Sequence, residues 1–72
     1  MPRFTGEQLK AQFKIDPKGI SHMLGAMMRD FGYPNATDEA VEKEINAQLG
    51  GAEPCNLNYG LWIQTYLRDG VD

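Results

Sequence analysis

The chain has 72 residues, 42% of them hydrophobic, with seven lysines and arginines against ten aspartates and glutamates. This length allows one small domain, residues 1–72, and excludes a second core. The hydrophobic fraction and seven aromatic residues exclude a disordered tail, although the net charge is −3.

One cysteine and the lack of long apolar runs set the expected location. Cys55 has no partner for an internal disulfide, and no histidine or cysteine neighbours give zinc-site spacing. No run approaches the roughly 18 apolar residues of a membrane span. The N-terminus also lacks the apolar centre of a signal peptide. We therefore expect a cytoplasmic protein with no metal, no cofactor and no membrane association.

Charge is divided unevenly along the chain. Residues 1–36 carry five basic and three acidic side chains, whereas residues 37–72 carry two basic and seven acidic ones. A first half of charge +2 is thus followed by a second half of charge −5. Each half can therefore attract a different kind of partner.

Capping signals predict two consecutive helices, over about residues 5–14 and 17–31. Thr5 is followed three residues later by a glutamine, which is the spacing of a capping box, and Asp16–Pro17 is typical of a second helix start. Ile15 and Ile20 are spaced as a hydrophobic staple. Apolar residues then recur at helical spacing. This predicted core stripe consists of Ile20, Met23, Leu24, Met27, Met28 and Phe31.

A third helix is predicted over about residues 38–49. Thr37 is its cap, and the glycine pair 50–51 ends it. Its apolar line is thin and its other faces are acidic and polar, so we expect a surface helix.

The last segment has two interpretations. It fits a helix over about residues 58–69 capped by Asn58, which we favour, but residues 57–67 also alternate with the period of a β-strand. Its large aromatic residues are expected in the core, with a role as interface anchors as the alternative. These residues are Tyr59, Trp62 and Tyr66. The predicted fold class is therefore all-α, a small bundle of about four helices.

The first helix pair has a characteristic arrangement of apolar residues. They are Leu9, Phe13, Ile15, Ile20, Met23 and Leu24, with Ser21 following Ile20. Over residues 7–31 this pattern resembles the helix-turn-helix of bacterial and phage transcription regulators. The resemblance implies a three-residue turn, in which Lys14 stands where the family has a left-handed glycine. It also implies that the second helix enters the DNA major groove.

The resemblance implies a set of DNA-contacting residues. Phosphates would be held by Lys10, Lys14, Lys18 and Arg29, and Ser21 and His22 would lie near bases. The predicted outward face has no arginine, asparagine or glutamine, the side chains that best discriminate bases. Glycines 19 and 25 on that face would allow another surface to approach closely.

The acidic third helix suggests a different use. A patch for docking on a basic protein groove is predicted from Asp38, Glu39, Glu42 and Glu44, with an ordinary solvated face as the alternative. By size and charge alone, the chain is similar to small phage-encoded regulators that bind RNA polymerase.

Catalysis is not indicated by any motif. The chain has no nucleophile–base pair, phosphate loop or paired carboxylates in a motif context, so no enzyme activity or small-molecule substrate is expected. The sequence favours a small non-catalytic transcription regulator whose helix-turn-helix contacts DNA. The alternative is a protein-binding regulator that docks on RNA polymerase, or another nucleic-acid-handling protein, through its acidic second half. A plain structural or adaptor domain is the third interpretation.

Overall fold

The computed structural model describes residues 3–72, which contain four α-helices. They are α1 (Gly6–Ile15), α2 (Pro17–Asp30), α3 (Asp38–Leu49) and α4 (Gly60–Asp69). The chain is therefore an all-α bundle, as the sequence predicted. The helix ends differ from the predicted ones by at most two residues, which is ordinary for helix boundaries.

A capping box begins α1, as predicted. The Thr5 side chain accepts a hydrogen bond from the Gln8 backbone N at 3.1 Å, and the Thr5 N–H donates to Gln8 Oε1 at 3.0 Å. The first helical residue, Gly6, lies against the end of α4. A β-carbon at Gly6 would come within 2.6 Å of the carbonyl oxygens of Leu67 and Arg68. A residue without a side chain is therefore required where the start of α1 lies against the end of α4.

Asp16 alone connects α1 to α2. Its N–H donates to the Gln12 carbonyl at 2.8 Å at the end of α1, and its Oδ1 accepts from the Gly19 N–H at 3.1 Å at the start of α2. The predicted three-residue turn is wrong, because Lys14 is helical. No non-glycine residue in the described part of the chain has a positive φ.

The predicted staple between Ile15 and Ile20 is also wrong. Ile15 is 77% exposed, whereas Ile20 is buried. Since a single residue separates the helices, Ile15 belongs to the last turn of α1 and not to a connecting loop.

Glycines end α2 and α3 in the same way. Gly32 and Gly51 have φ of 103° and 96°, and the residue after each donates its N–H to a carbonyl five residues earlier at 3.0 Å. This is the Schellman arrangement, which satisfies the last helical carbonyls. Between these helices, the predicted Thr37 cap of α3 is present and accepts from the Ala40 N–H at 3.1 Å.

The last segment is a helix, so the helical interpretation of residues 57–67 is confirmed and the strand is not formed. The predicted Asn58 cap is wrong. Asn56 organises the start instead, since its Oδ1 accepts from the N–H groups of Asn58 at 2.8 Å and Tyr59 at 3.0 Å. This is an asparagine turn that precedes the first helical residue.

Phe4 and Val71 close the bundle as an isolated antiparallel bridge. Each N–H donates to the other residue's carbonyl, at 3.0 and 2.9 Å. Gly70 has φ of 92°, and a β-carbon there would collide with the Phe4 carbonyl oxygen. The bridge ties the segment before α1 to the segment after α4.

The core draws on all four helices and on the segments beside them. Its buried hydrophobic residues are Leu9, Phe13, Ile20, Leu24, Met28, Ala36, Val41, Ile45, Tyr59, Ile63, Tyr66, Leu67 and Val71. Tyr59 and Tyr66 are thus in the core as expected. No helix in residues 3–72 is long and apolar enough to cross a membrane.

The buried face of α2 is rotated relative to the predicted stripe. Ser21 and Gly25 are buried on this helix, whereas Met23 and Met27 are only partly buried and Phe31 is exposed. Small residues at positions 21 and 25 let neighbouring elements pack closely on that side of α2. The remaining residues of the predicted stripe, those at 20, 24 and 28, are buried as expected.

Candidate interaction surfaces

A seam of charged side chains joins α2 to α3. The Asp38 carboxylate accepts from His22 Nδ1 at 2.8 Å and pairs with Arg29 Nη2 at 3.0 Å. Arg29 Nη1 also donates to the Ala36 carbonyl at 2.7 Å. The hydrogen bond from His22 lowers the pKa of Asp38, and Arg29 lowers it further. Partial desolvation raises the pKa but does not cancel these effects, so the pKa stays below its ordinary value. The first turn of α3 is thereby fixed against α2.

The seam continues at the start of α2. Lys18 Nζ lies 3.8 Å from Glu42 Oε1, a longer and more exposed ion pair than those of Asp38. We call the five residues Lys18, His22, Arg29, Asp38 and Glu42 the α2–α3 seam. Three of the six predicted DNA contacts therefore pair with two of the four residues of the predicted acidic patch, so half of each predicted site is engaged in one intramolecular contact.

Two residues predicted to face outward on α2 are buried at this seam. Ser21 is 1% exposed, so it does not lie where it would reach a base. A β-carbon at Gly25 would come within 2.9 Å of Arg29 Nη1 and 3.0 Å of Asp38 Oδ1. The surface that approaches closely at Gly25 is therefore another part of the same chain, and not a binding partner.

Glu44 does not belong to an exposed acidic patch. It is 5% exposed, and its carboxylate accepts from the backbone N–H groups of Cys55 at 3.0 Å and Asn56 at 3.1 Å. Gln48 Nε2 donates to the same carboxylate at 2.8 Å and to the Gly60 carbonyl at 2.9 Å. Glu44 therefore fixes the loop between α3 and α4. Its position three residues after Val41, on the buried line of α3, is a sequence signal that indicates this burial.

The other predicted site residues are dispersed. Lys10 pairs with Glu7 at 3.3 Å within α1. Lys14 is exposed at the end of α1, and Glu39 is exposed in the first turn of α3. Neither of these two has an ion pair among the described residues.

Aromatic side chains instead form a surface between the end of α2 and the outer side of α4. The ring centroids of Phe31 and Trp62 are 5.8 Å apart, and those of Trp62 and Tyr66 are 6.2 Å apart. Trp62 Nε1 also donates to the Tyr33 hydroxyl at 3.4 Å. We call these four residues the aromatic surface. Phe31 was predicted to lie in the core, and burial was also the first expectation for Trp62; both side chains are instead exposed.

The aromatic surface is graded from buried to exposed. Tyr66 lies in the core, and burial raises the pKa of its hydroxyl. Phe31 is 57% exposed and Trp62 is 43% exposed, so two large rings face solvent side by side. Adjacent exposed rings supply the contact area on which protein interfaces depend, and isolated apolar side chains do not.

The charged residue next to Phe31 in the chain is negative. Asp30 immediately precedes Phe31 and is exposed. Among the charged side chains of α2 and α4, both fully described, Asp30 alone has no ion pair. On α4, Arg68 and Asp69 pair with each other at 2.9 Å.

Residues 3–72 contain no group of three histidine, cysteine, aspartate or glutamate side chains arranged to hold a metal ion. Comparison of the chain with protein-family models, with curated proteins and with solved structures finds no match in any of the three. The candidate surfaces therefore rest on the geometry of this chain alone.

Proposed function

We propose that the protein is a non-catalytic regulator that acts by binding another protein through the aromatic surface. The observation that carries this proposal is the contact between the rings of Phe31 and Trp62. Both rings are exposed to solvent, although they pack against each other. Aromatic residues held rigidly by neighbours bury much area on binding at a small loss of side-chain entropy. Tyr66 and Tyr33 hold Trp62 from the core side, which favours this role over a loosely attached ring.

The charges of the α2–α3 seam support protein binding over DNA binding. Lys18 and Arg29 each lie beside a carboxylate of α3, as does His22. A phosphate approaching α2 would therefore meet Asp38 and Glu42 close to the cations that attract it. The positive potential that drives nucleic-acid binding is weakened along most of this helix.

The size and charge of the chain still favour the transcription machinery as the partner class, with RNA polymerase as the leading target. The docking surface that we propose differs from the acidic patch of the sequence prediction. Asp38 and Glu42 are paired within the chain, and Glu44 is buried. This leaves Glu39 as the exposed, unpaired member of that patch.

Site-specific photo-crosslinking in cells of the native host tests the proposal. We expect Phe31→p-benzoylphenylalanine to give one dominant crosslinked partner, identified by mass spectrometry. The matched control is Ile15→p-benzoylphenylalanine, which places the same group at an exposed isoleucine at the far end of α1. Equal crosslinks from both positions, or none from position 31, would remove the aromatic surface from the function.

Contact with DNA is the second candidate function. It is favoured by the exposed ammonium groups of Lys14 and Lys18, which stand on either side of the Asp16 connection. In this case duplex DNA shifts the amide NMR signals of residues 14–29 at low salt, and added salt reverses the shifts. Lys14→Gln weakens binding, whereas Lys43→Gln, an exposed lysine of α3 without an ion pair among the described residues, does not. Unchanged spectra at low salt would eliminate this candidate.

A further inference from the structure

We infer that the occupant of the aromatic surface is a basic amphipathic helix, one that presents apolar side chains next to lysine or arginine. This inference rests on the proposed function, since it names the partner chemistry of the same surface. Three features carry it: the spacing of the rings, the residues that border them and the charge of the rim.

The spacing of the rings fits the side chains of a helix. The rings of Phe31, Trp62 and Tyr66 follow one another at 5.8 and 6.2 Å. Side chains three or four residues apart on a helix are separated by about 5–6 Å, so two such side chains of a partner can contact Phe31 and Trp62, the two exposed rings. A partner strand is not favoured, because the described chain has no strand beyond the Phe4–Val71 bridge to which one could be added.

The border of the surface is adaptable and apolar. Met27 precedes Phe31 by four residues and Met23 precedes Met27 by four, so these side chains follow one line on α2. Both methionines are partly buried and pack against the core. Unbranched thioether side chains adjust to the shape of an apolar partner, as they do where proteins bind amphipathic helices.

The rim selects a positive partner. Asp30 lies beside Phe31, and the cations of α2 and α4 are all engaged in ion pairs. The unpaired charge that these two helices offer is therefore negative. A lysine or arginine beside the apolar side chains of the partner would meet Asp30, and the exposed ring faces would add cation–π attraction.

The experiment uses the full chain and two designed peptides without tryptophan. One is an amphipathic leucine–lysine helix, and the other has the same leucines with glutamate in place of lysine. Trp62 is the single tryptophan of the chain, so its emission reports on the aromatic surface directly. We expect the leucine–lysine peptide to shift the emission with an affinity at least about tenfold higher than the leucine–glutamate peptide, and salt to reduce the difference.

Variants assign the effect to the rim and to the rings. Asp30→Asn is expected to reduce the preference for the basic peptide several-fold, whereas Glu39→Gln, which removes the same charge from α3, leaves it unchanged. Phe31→Ser is expected to abolish binding, and Ile15→Ser, at an exposed apolar position of α1, is expected to preserve it. Circular dichroism of each variant separates loss of binding from loss of fold.

Four outcomes would overturn the inference. Equal binding of both peptides would remove the basic partner and leave the aromatic surface as an uncharged docking site. An undiminished preference for the basic peptide in Asp30→Asn would show that the basic side chains do not meet this rim. Binding of neither peptide while position 31 still crosslinks to one cellular partner would leave the proposed function standing without this occupant. A Trp62 shift with phosphatidylglycerol vesicles and with neither peptide would assign the surface to a lipid interface.

Discussion

His22 and Asp38 join α2 to the first turn of α3 through a contact of 2.8 Å between Nδ1 and Oδ2. The carboxylate accepts, so Nδ1 of the imidazole carries the donated proton. A residue predicted to lie near DNA bases thus bonds to a residue predicted to lie in a protein-docking patch. Lys18 and Arg29 of the basic first half, together with His22, thus pair with Asp38 and Glu42 of the acidic second half.

The Asp38 pairs make stability depend on pH in the acid range. The pKa of Asp38 in the folded chain lies below its ordinary value of 3.8. The unfolded chain therefore takes up this proton at a higher pH than the folded chain does. The stabilisation is present above pH 3.8 and is lost as the pH falls through the lower pKa of the folded chain. We expect the melting temperatures of the wild type and Asp38→Asn to converge as the pH falls below 3.8 in thermal scans.

Asp30→Asn is the matched control for this pH dependence. Asp30 has no ion pair among the described residues, so its variant controls for the loss of one acidic side chain of α2 without the loss of an ion pair. If the difference in melting temperature between the wild type and Asp38→Asn persists to the lowest pH, the ion pairs of Asp38 do not stabilise the fold.

Glu44 should contribute strongly to stability, because it is the acceptor for two backbone N–H groups of the loop. Glu44→Ala leaves the Cys55 and Asn56 donors without this partner in a buried place. We expect the free energy of unfolding to fall by about 2–4 kcal/mol in urea titrations. Glu42→Ala, which breaks the exposed pair with Lys18, should lower it by less than about 1 kcal/mol. Comparable losses in the two variants would contradict the role of Glu44 in fixing the loop.

Alanine substitutions at Gly70 and Gly32 distinguish the effect of a steric collision from the effect of backbone strain. Both have positive φ, but a β-carbon meets nothing within 4 Å at Gly32 and collides with the Phe4 carbonyl at Gly70. Gly32→Ala should destabilise the fold by about 1 kcal/mol through the left-handed conformation alone. Gly70→Ala should cost about 3 kcal/mol or more and disrupt the Phe4–Val71 bridge. Amide hydrogen exchange at Phe4 and Val71 measures the second effect.

Two isoleucines on either side of Asp16 give a matched test of the first helix junction. Ile20→Ala removes a buried side chain and should lower the free energy of unfolding by about 2–5 kcal/mol. Ile15→Ala changes an exposed residue and should leave stability within about 0.5 kcal/mol. A large loss in Ile15→Ala would mean that the staple predicted from the sequence forms in solution.

The features that the sequence predicted correctly are local ones. The caps at Thr5, Asp16 and Thr37 and the helix end at Gly32 depend on residues within about one turn of each other. Their partners are therefore visible as short motifs. The start of α4 was misplaced because Asn56 and Asn58 are both suitable turn formers and only their backbone geometry distinguishes them.

The features that the sequence did not predict depend on how helices pack. Ser21 and Gly25 are buried because α3 and the segment before it lie on that side of α2, which no pattern within α2 specifies. The pairing of His22 with Asp38 spans sixteen positions of the chain. Phe31 is exposed for the same reason, since the bundle covers a face of α2 rotated away from it. The aromatic surface follows from tertiary packing and so could not be assigned from spacing alone.

The Phe4–Val71 bridge also determines how the bundle responds to tension. The two flanking segments run antiparallel and leave the bundle side by side, so force on both of them pulls the paired residues directly apart. The two hydrogen bonds of the bridge are then loaded before any helix contact. Mechanical load would break the Phe4–Val71 bridge first and would separate α1 from α4 only afterwards.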